Sequence, residues 1–271
     1  MMDFDTYKNV QAINASAIKK GAKSLLKMRL AMGGAEFKDS PAMRWGRVCH
    51  SAILEPVWFA ENVKVCDLSK NSNAWKAIIE SATHPDTIVT TPELEKVTAM
   101  RGAFMLNKDA MDVIKDMTFE FTLRWTSDTY GAAKARVDGI KRDTILEYKT
   151  TKDASEKAFF STAVKLGYDM AAGWYHHGAK QCAVVQKPAY IFIVQEVDAP
   201  YEVAVYEAPQ TFLEIGYSKA ESIAKQYREC ERTGIWTGIQ PNGRAELVLP
   251  DWYIGGSELV GDIEAMDMED E

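Results

Sequence analysis

"VDGIKRDTILEYKTTKDAS", residues 137–155, closes one short apolar run on Asp138 and sets Glu147 and Lys149 two residues apart inside the next. In an extended strand, residues two apart share a face. Lys134, Arg136 and Asp138 therefore line one strand, and Ile145, Glu147 and Lys149 line one face of the following strand. If the two strands pair, Asp138 and Glu147 converge beside Lys149. Two carboxylates are hard oxygen ligands suited to Mg²⁺ or Mn²⁺, ions that keep most of their waters and lower the pKa of a bound one. A neighbouring amine can orient or deprotonate the attacking water and offset phosphate charge. The constellation suits metal-assisted phosphodiester hydrolysis, and the nine-residue interval between the two acids demands a tight hairpin. Alone, Glu-x-Lys is a weak pattern: Glu36-Phe37-Lys38 matches it with no partner, and charges on strand faces are commonly solvated or paired across strands.

Working outward, "TFEFTLRWT" alternates Phe119, Phe121, Leu123 and Trp125 with Glu120, Thr122 and Arg124, a half-buried strand. "SDTYG" turns the chain into "AAKARVDGI", and "DTILEYK" follows as a third strand. "DASE" starts a helix of capping-box type, Asp153 with Glu156, which runs to about Gly167. A second helix runs from about Tyr168 to Gln181. Strands "AYIFIVQEV" and "YEVAVYE" precede a long helix from about Pro209 to Gly234. In the N-terminal third, Ser16 caps a helix to about Met32. Trp45, Val48, Cys49, Ala52 and Ile53 form one helical apolar stripe ended by Pro56, and His50 lies just past its edge. Thr91-Pro92-Glu93 opens another helix. The layout is α/β, a single domain with a small mixed central sheet flanked by helices.

The chain has 271 residues, 46% apolar and 26% charged, enough for one substantial core. The reading places one domain at 1–254 and an acidic, disordered tail at 255–271. No apolar run approaches the length of a membrane span, and the start resembles no signal peptide, so no membrane and a cytoplasmic location are expected. Cys49, Cys66, Cys182 and Cys230 have no C-x-x-C spacing, which argues against a zinc ribbon or iron–sulfur cluster. The net charge of −7 is concentrated late: Ala245 to Glu271 holds nine acids and no Lys or Arg, leaving 32 basic against 30 acidic residues before it. A local basic groove for DNA is therefore permitted.

Arg44 and Arg47, one helical turn from His50, can grip a phosphate in two places, as can Arg136; an ion pair with Glu55 or another acid is the competing reading. The adjacent His176 and His177 point to different sides of a helix and make a poor second metal site. His84 sits in a loop before Pro85. Trp45, Trp174, Trp236 and Trp252 read as core rather than base-stacking residues.

"INASAIKK", "MRWGRVCHSAILEP", "EFTLRWTSDTYGAAKARVDG", "LEYKTTKDAS" and "YDMAAGWYHHG", with a closing "LVLPDW", occur in the order that resembles the RecE family of phage recombination exonucleases, a branch of the PD-(D/E)xK nucleases. The likeness runs from about Ile13 to Trp252. It implies that His50, Asp138, Glu147 and the Tyr148 carbonyl hold Mg²⁺, with Mn²⁺ as a substitute, and that Lys149 is the catalytic lysine. The family's glutamine is Ala171 here, so of its Gln-x-x-x-Tyr helix only Tyr175 carries over. Val137 replaces the proline before the first acid. The resemblance implies a processive 5′→3′ exonuclease on linear double-stranded DNA, making 3′ single strands for an annealing protein of the RecT type. It also implies a homo-oligomeric ring. A non-catalytic DNA-end-binding scaffold and an endonuclease on the same core are the rival readings.

Overall fold

The computed structural model describes residues 4–35, 40–185, 187–236, 238–240, 243–244 and 246–248. Glu36-Phe37-Lys38, Trp252 and the acidic tail lie outside the described residues. The chain divides into a unit spanning Met1–Trp236 and a second spanning Thr237–Glu271.

Five strands make the main sheet: β3 (Thr118–Ser127), β4 (Gly131–Lys141), β5 (Thr144–Thr151), β6 (Ala189–Glu196) and β7 (Val203–Glu207), in that spatial order; two short parallel strands, β1 (Lys64–Val65) and β2 (Ile88–Val89), pair separately. All neighbours in the main sheet are antiparallel except β5 and β6. That parallel step needs a crossover, which α9 (Glu156–Lys165) and α10 (Tyr168–Gln181) supply. The small mixed sheet is thus as the sequence pattern implies.

Helices cover both faces. On one, α2 (Ala15–Gly21), α3 (Leu25–Met32), α9, α10 and α11 (Gln210–Thr233) close over Leu123, Trp125, Val137, Ile145, Tyr190 and Phe192. On the other, α4 (Pro41–Leu54), α5 (Pro56–Asn62), α7 (Thr91–Leu106) and α8 (Lys108–Ile114) close over Leu146, Tyr148, Ile191 and Ile193. α1 (Phe4–Asn9) precedes the first group, and α6 (Asn73–Ser81) lies between β1 and β2 in the chain. No described helix is long and apolar enough to cross a membrane.

Several boundaries differ from the sequence reading. Asn14, not Ser16, caps α2, its Oδ1 accepting from Ala17 N at 3.0 Å. The expected continuous helix to Met32 is two helices, because the chain turns after Gly21, where an added Cβ would lie 2.6 Å from Ile223 and 2.8 Å from Met28. Thr90, one residue before the expected cap, forms the capping box with Glu93. Asp153 and Glu156 form no such box: Ser155 is the cap residue, and Asp153 Oδ1 accepts from Ser155 N at 2.8 Å in a local turn.

The feature that positions the site is an interruption of strand alternation. Phe121, Leu123 and Trp125 enter the first core, but Phe119 enters the second; Val137 and Ile140, three residues apart instead of two, both enter the first. The switch falls at Glu120, the third residue of β3, which has a φ of 53°, and at Asp138 across from it in β4. A left-handed residue reverses the side on which its neighbours fall. On the other edge of β4, the ladder to β5 ends at Gly139 with Leu146. Beyond that point Ile13 takes the vacated edge, with Ile13 N to Ala132 O at 3.0 Å and Lys134 N to Ile13 O at 2.8 Å. A cleft therefore opens between β4 and β5 where Asp138 and Glu147 stand.

Candidate metal and catalytic site

The hairpin required by the spacing is present: Lys141 pairs with Thr144, leaving a two-residue turn of Arg142 and Asp143. Continuing that register places Asp138 opposite Glu147, just past the last ladder pair. Asp138 Oδ2 fills the gap by accepting from the Tyr148 amide at 2.8 Å. Its other oxygen, Oδ1, lies 3.3 Å from His50 Nε2.

His50 reaches the cluster from α4, whose Val48, Cys49, Ala52 and Ile53 are buried and fix the helix against the sheet. Its ring meets that of Tyr148 edge-on with centroids 6.4 Å apart. The Tyr148 hydroxyl is anchored by Gln195 Oε1 at 2.8 Å. His50 Nε2 is buried and makes no well-formed hydrogen bond, although Asp138 and Glu120 oxygens stand 3.3 and 3.4 Å away. An orphaned imidazole nitrogen facing carboxylates suits a divalent cation. Ligand atoms of His50, Glu55 and Glu120 lie within 4.8 Å of one another. The donor set expected from sequence and this one meet at His50.

Glu147 is held from both sides, by Lys149 Nζ at 2.5 Å from Oε1 and by the Tyr190 hydroxyl at 3.1 Å from Oε2. Burial pushes its pKa up, and the Asp138 charge adds to that, while Lys149 opposes both. Burial also disfavours ionised Asp138, yet His50 and Lys149 prevail and hold it at about 2. For His50, burial would lower the pKa, but Asp138 and Glu120 lift it to about 9. Lys149 is likewise raised above its ordinary value, Glu147 and Asp138 outweighing the burial that opposes them. Tyr175, on α10, lies near enough for the carboxylates of Glu147, Asp138 and Glu120 to reinforce the effect of burial, which holds its hydroxyl protonated.

The three arginines are already engaged with acids. Arg44 pairs with Glu93 at 3.0 Å, Arg47 with Asp86 at 2.7 Å, and Arg136 with Glu120, so the competing reading of an ion pair with an acid describes them. A phosphate would have to displace those partners. Lys134, on the strand face assigned to Asp138, instead donates to the carbonyls of Tyr7 and Val10 at 2.7 and 2.8 Å and pins the N-terminal segment to β4. His177 contacts the Tyr217 hydroxyl at 3.2 Å, and the ring of His84 packs edge-on against Trp58. Trp174 is wholly buried, and all four cysteines are free thiols.

Sequence reasoning missed Glu120 and Glu55. Glu120 was read only as the polar side of an alternating strand. Equal counting back from the "SDTYG" turn is the signal that sets it across from Asp138, although not the side on which its carboxylate falls.

A five-stranded mixed sheet with acids converging where two of its strands part defines a nuclease-type α/β fold. The family described as a PDDEXK-like domain of unknown function (DUF3799) matches residues 8–246, and the chain belongs to it. Among solved structures, a candidate exonuclease from Eubacterium rectale superposes with a TM-score of 0.63 over 92% of this chain and 96% of its own, at 11% identity, a likeness of fold. SSO0001 aligns over 77% of this chain and 84% of its own at 14% identity, with a TM-score of 0.30 that is too low to bear on the fold. No curated protein matches the sequence.

Proposed function

We propose that this protein is a Mg²⁺-dependent deoxyribonuclease that degrades linear duplex DNA, with Mn²⁺ as a working substitute. The observation that carries the reading is the convergence of His50, Asp138, Glu147 and Lys149 at the β4–β5 cleft of a PDDEXK-like domain. His50, Asp138, Glu147 and the Tyr148 carbonyl would hold the ion, with Glu120 and Glu55 beside them. A bound divalent ion supplies Lewis acidity toward a phosphoryl oxygen and lowers the pKa of a water.

The chain's own groups do the rest. The Tyr148 amide and the Tyr190 hydroxyl fix the two carboxylates, so the donors are preorganised. Lys149, with its pKa raised, carries its proton into the reaction and donates from Nζ to a phosphoryl oxygen as negative charge develops there. Orienting the water and offsetting charge fit this environment better than deprotonating water. Tyr175, kept neutral, retains a hydroxyl proton within the field of these carboxylates and would donate it in a hydrogen bond to substrate.

The finer reading is a processive 5′→3′ exonuclease that works as a homo-oligomeric ring in the cytoplasm and leaves 3′ single strands for a RecT-type annealing protein. The RecE-like motif order supports it. Linear duplexes labelled at the 5′ or 3′ end, beside a closed circle, test it in Mg²⁺ and Mn²⁺. Early release of 5′ label with an intact circle is expected. A cut circle makes the enzyme an endonuclease, and binding to ends without cleavage makes it a scaffold.

A further inference from the structure

α2 leaves little freedom to Lys19, the first of its two lysines. Ala15, Ala17 and Ile18 are buried, Asn14 caps the helix, and the Ile13 bridge ties it to β4, the strand that carries Asp138. The aliphatic stem of Lys19 lies against Gly167, where an added Cβ would sit 3.1 Å from Lys19 Cγ. Its ammonium stands 5.7 Å from the centre of the Tyr168 ring, and the Lys149 ammonium stands 5.3 Å from the same ring. Two cations thus contact one aromatic ring at the edge of the catalytic cluster.

Their acids are unequally distributed. Lys149 is paired with Glu147, and Lys219 with Asp169, but no acid forms an ion pair with Lys19 among the described residues. Glu147 is the one carboxylate whose field favours charged Lys19, while burial, Lys149 and Lys20 all disfavour it. A norleucine-shaped stem would pack on Gly167 and Tyr168 without that cost, so packing alone does not account for an ammonium here. An ion at the cluster would draw Glu147 toward itself and leave both ammonium groups in want of an anion.

We propose that Lys19, acting beside Lys149, grips a non-bridging phosphodiester oxygen of bound DNA and so positions the backbone over the catalytic carboxylates. This inference rests on the nuclease reading, and it adds a substrate-positioning residue that the Glu-x-Lys pattern does not contain.

The test compares wild type, Lys19→Met and Lys19→Arg in three measurements. These are affinity for a short blunt duplex in Ca²⁺ over a series of salt concentrations, the Mn²⁺-induced rise in Tm, and cleavage in Mg²⁺. Lys19→Met is expected to weaken binding about 10-fold at low salt, the size of one hydrogen bond to a charged group. Each lost phosphate contact also flattens the salt slope by about 0.9. Lys19→Arg should keep most of the affinity, and the Mn²⁺ response should be the same in all three. Lys19→Met with wild-type affinity and slope overturns the proposal, as does equal loss in Lys19→Arg with a lowered Tm, which marks a packing role. If wild type binds without cutting in Mg²⁺ or Mn²⁺, the nuclease reading fails while the Lys19 slope still reports a phosphate grip. Normal cutting with an unaffected Lys19→Met variant removes Lys19 alone.

Discussion

Glu120 stands across β3–β4 from Asp138, and the two carboxylates flank a single imidazole nitrogen, that of His50, at 3.4 and 3.3 Å. A protonated imidazole there offsets part of the charge of two acids that would otherwise repel. A divalent cation can take over that task only by displacing the proton, so metal binding and protonation of His50 compete.

The sign of the pH effect follows. His50 is raised from 6.5 to about 9, so its contribution to stability is complete below about 6.5 and is lost as pH rises through about 9. Asp138, depressed from 3.8 to about 2, contributes above 3.8 and loses that contribution only as pH falls through about 2. Between about 6.5 and 9 the Mn²⁺-induced rise in Tm should therefore grow with pH. In His50→Gln that growth should vanish. Thermal melts with and without Mn²⁺ across this range check it, and equal growth in both proteins would reassign the titrating group.

Glu120 combines a ligand position with an unfavourable backbone, φ 53°. Glu120→Gln should lower metal affinity by roughly 10- to 100-fold, the usual effect of altering a site's supporting donors. Glu120→Gly should lose the same affinity but melt higher than Glu120→Gln, because glycine adopts the left-handed region without strain. A Glu120→Gly variant that melts lower than Glu120→Gln would contradict the strain account.

Much of this site is legible in the sequence, and the remainder is hidden for identifiable reasons. Asp138, Glu147 and Lys149 could be placed because strand alternation holds on β5 and the hairpin between the acids is as short as their spacing requires. His50 could be placed because the stripe Val48, Cys49, Ala52 and Ile53 fixes which side of α4 is buried. Glu120 could not, since a left-handed residue inside a strand breaks the period from which its direction was read. Lys19 was hidden for a different reason. Its neighbours Gly167 and Tyr168 lie at the start of α10, far along the chain, and only tertiary packing brings them together. The break between α2 and α3 likewise depends on Ile223 of α11 crowding Gly21.

Lys149→Met removes a proton donor and frees Glu147 from its 2.5 Å ion pair. The rate of DNA cleavage should fall by ~100-fold or more. The Mn²⁺-induced rise in Tm should persist or increase, since the carboxylate no longer exchanges one cation for another. Loss of that rise would show Lys149 to be needed for assembling the site.

Lys134 tests the scaffold in place of the chemistry. Its ammonium satisfies the carbonyls of Tyr7 and Val10, and its side chain is buried beside β4. Lys134→Met strands those acceptors and should cost about 2 kcal/mol or more. Denaturant melts measure it. The loss should appear equally with and without divalent metal, because Lys134 holds backbone carbonyls and is not among the proposed ligands.

The account's central claim is that the β4–β5 cleft is a metal-dependent hydrolytic centre. The direct measurement follows degradation of an end-labelled linear duplex by wild type, Asp138→Asn and Glu147→Gln, in Mg²⁺, in Mn²⁺ and in chelator. Cleavage by wild type with either ion, none in chelator, and a loss of at least ~100-fold in both variants is predicted, since each removes a charged ligand. Cleavage that survives chelation, or an Asp138→Asn variant as active as wild type, would contradict it.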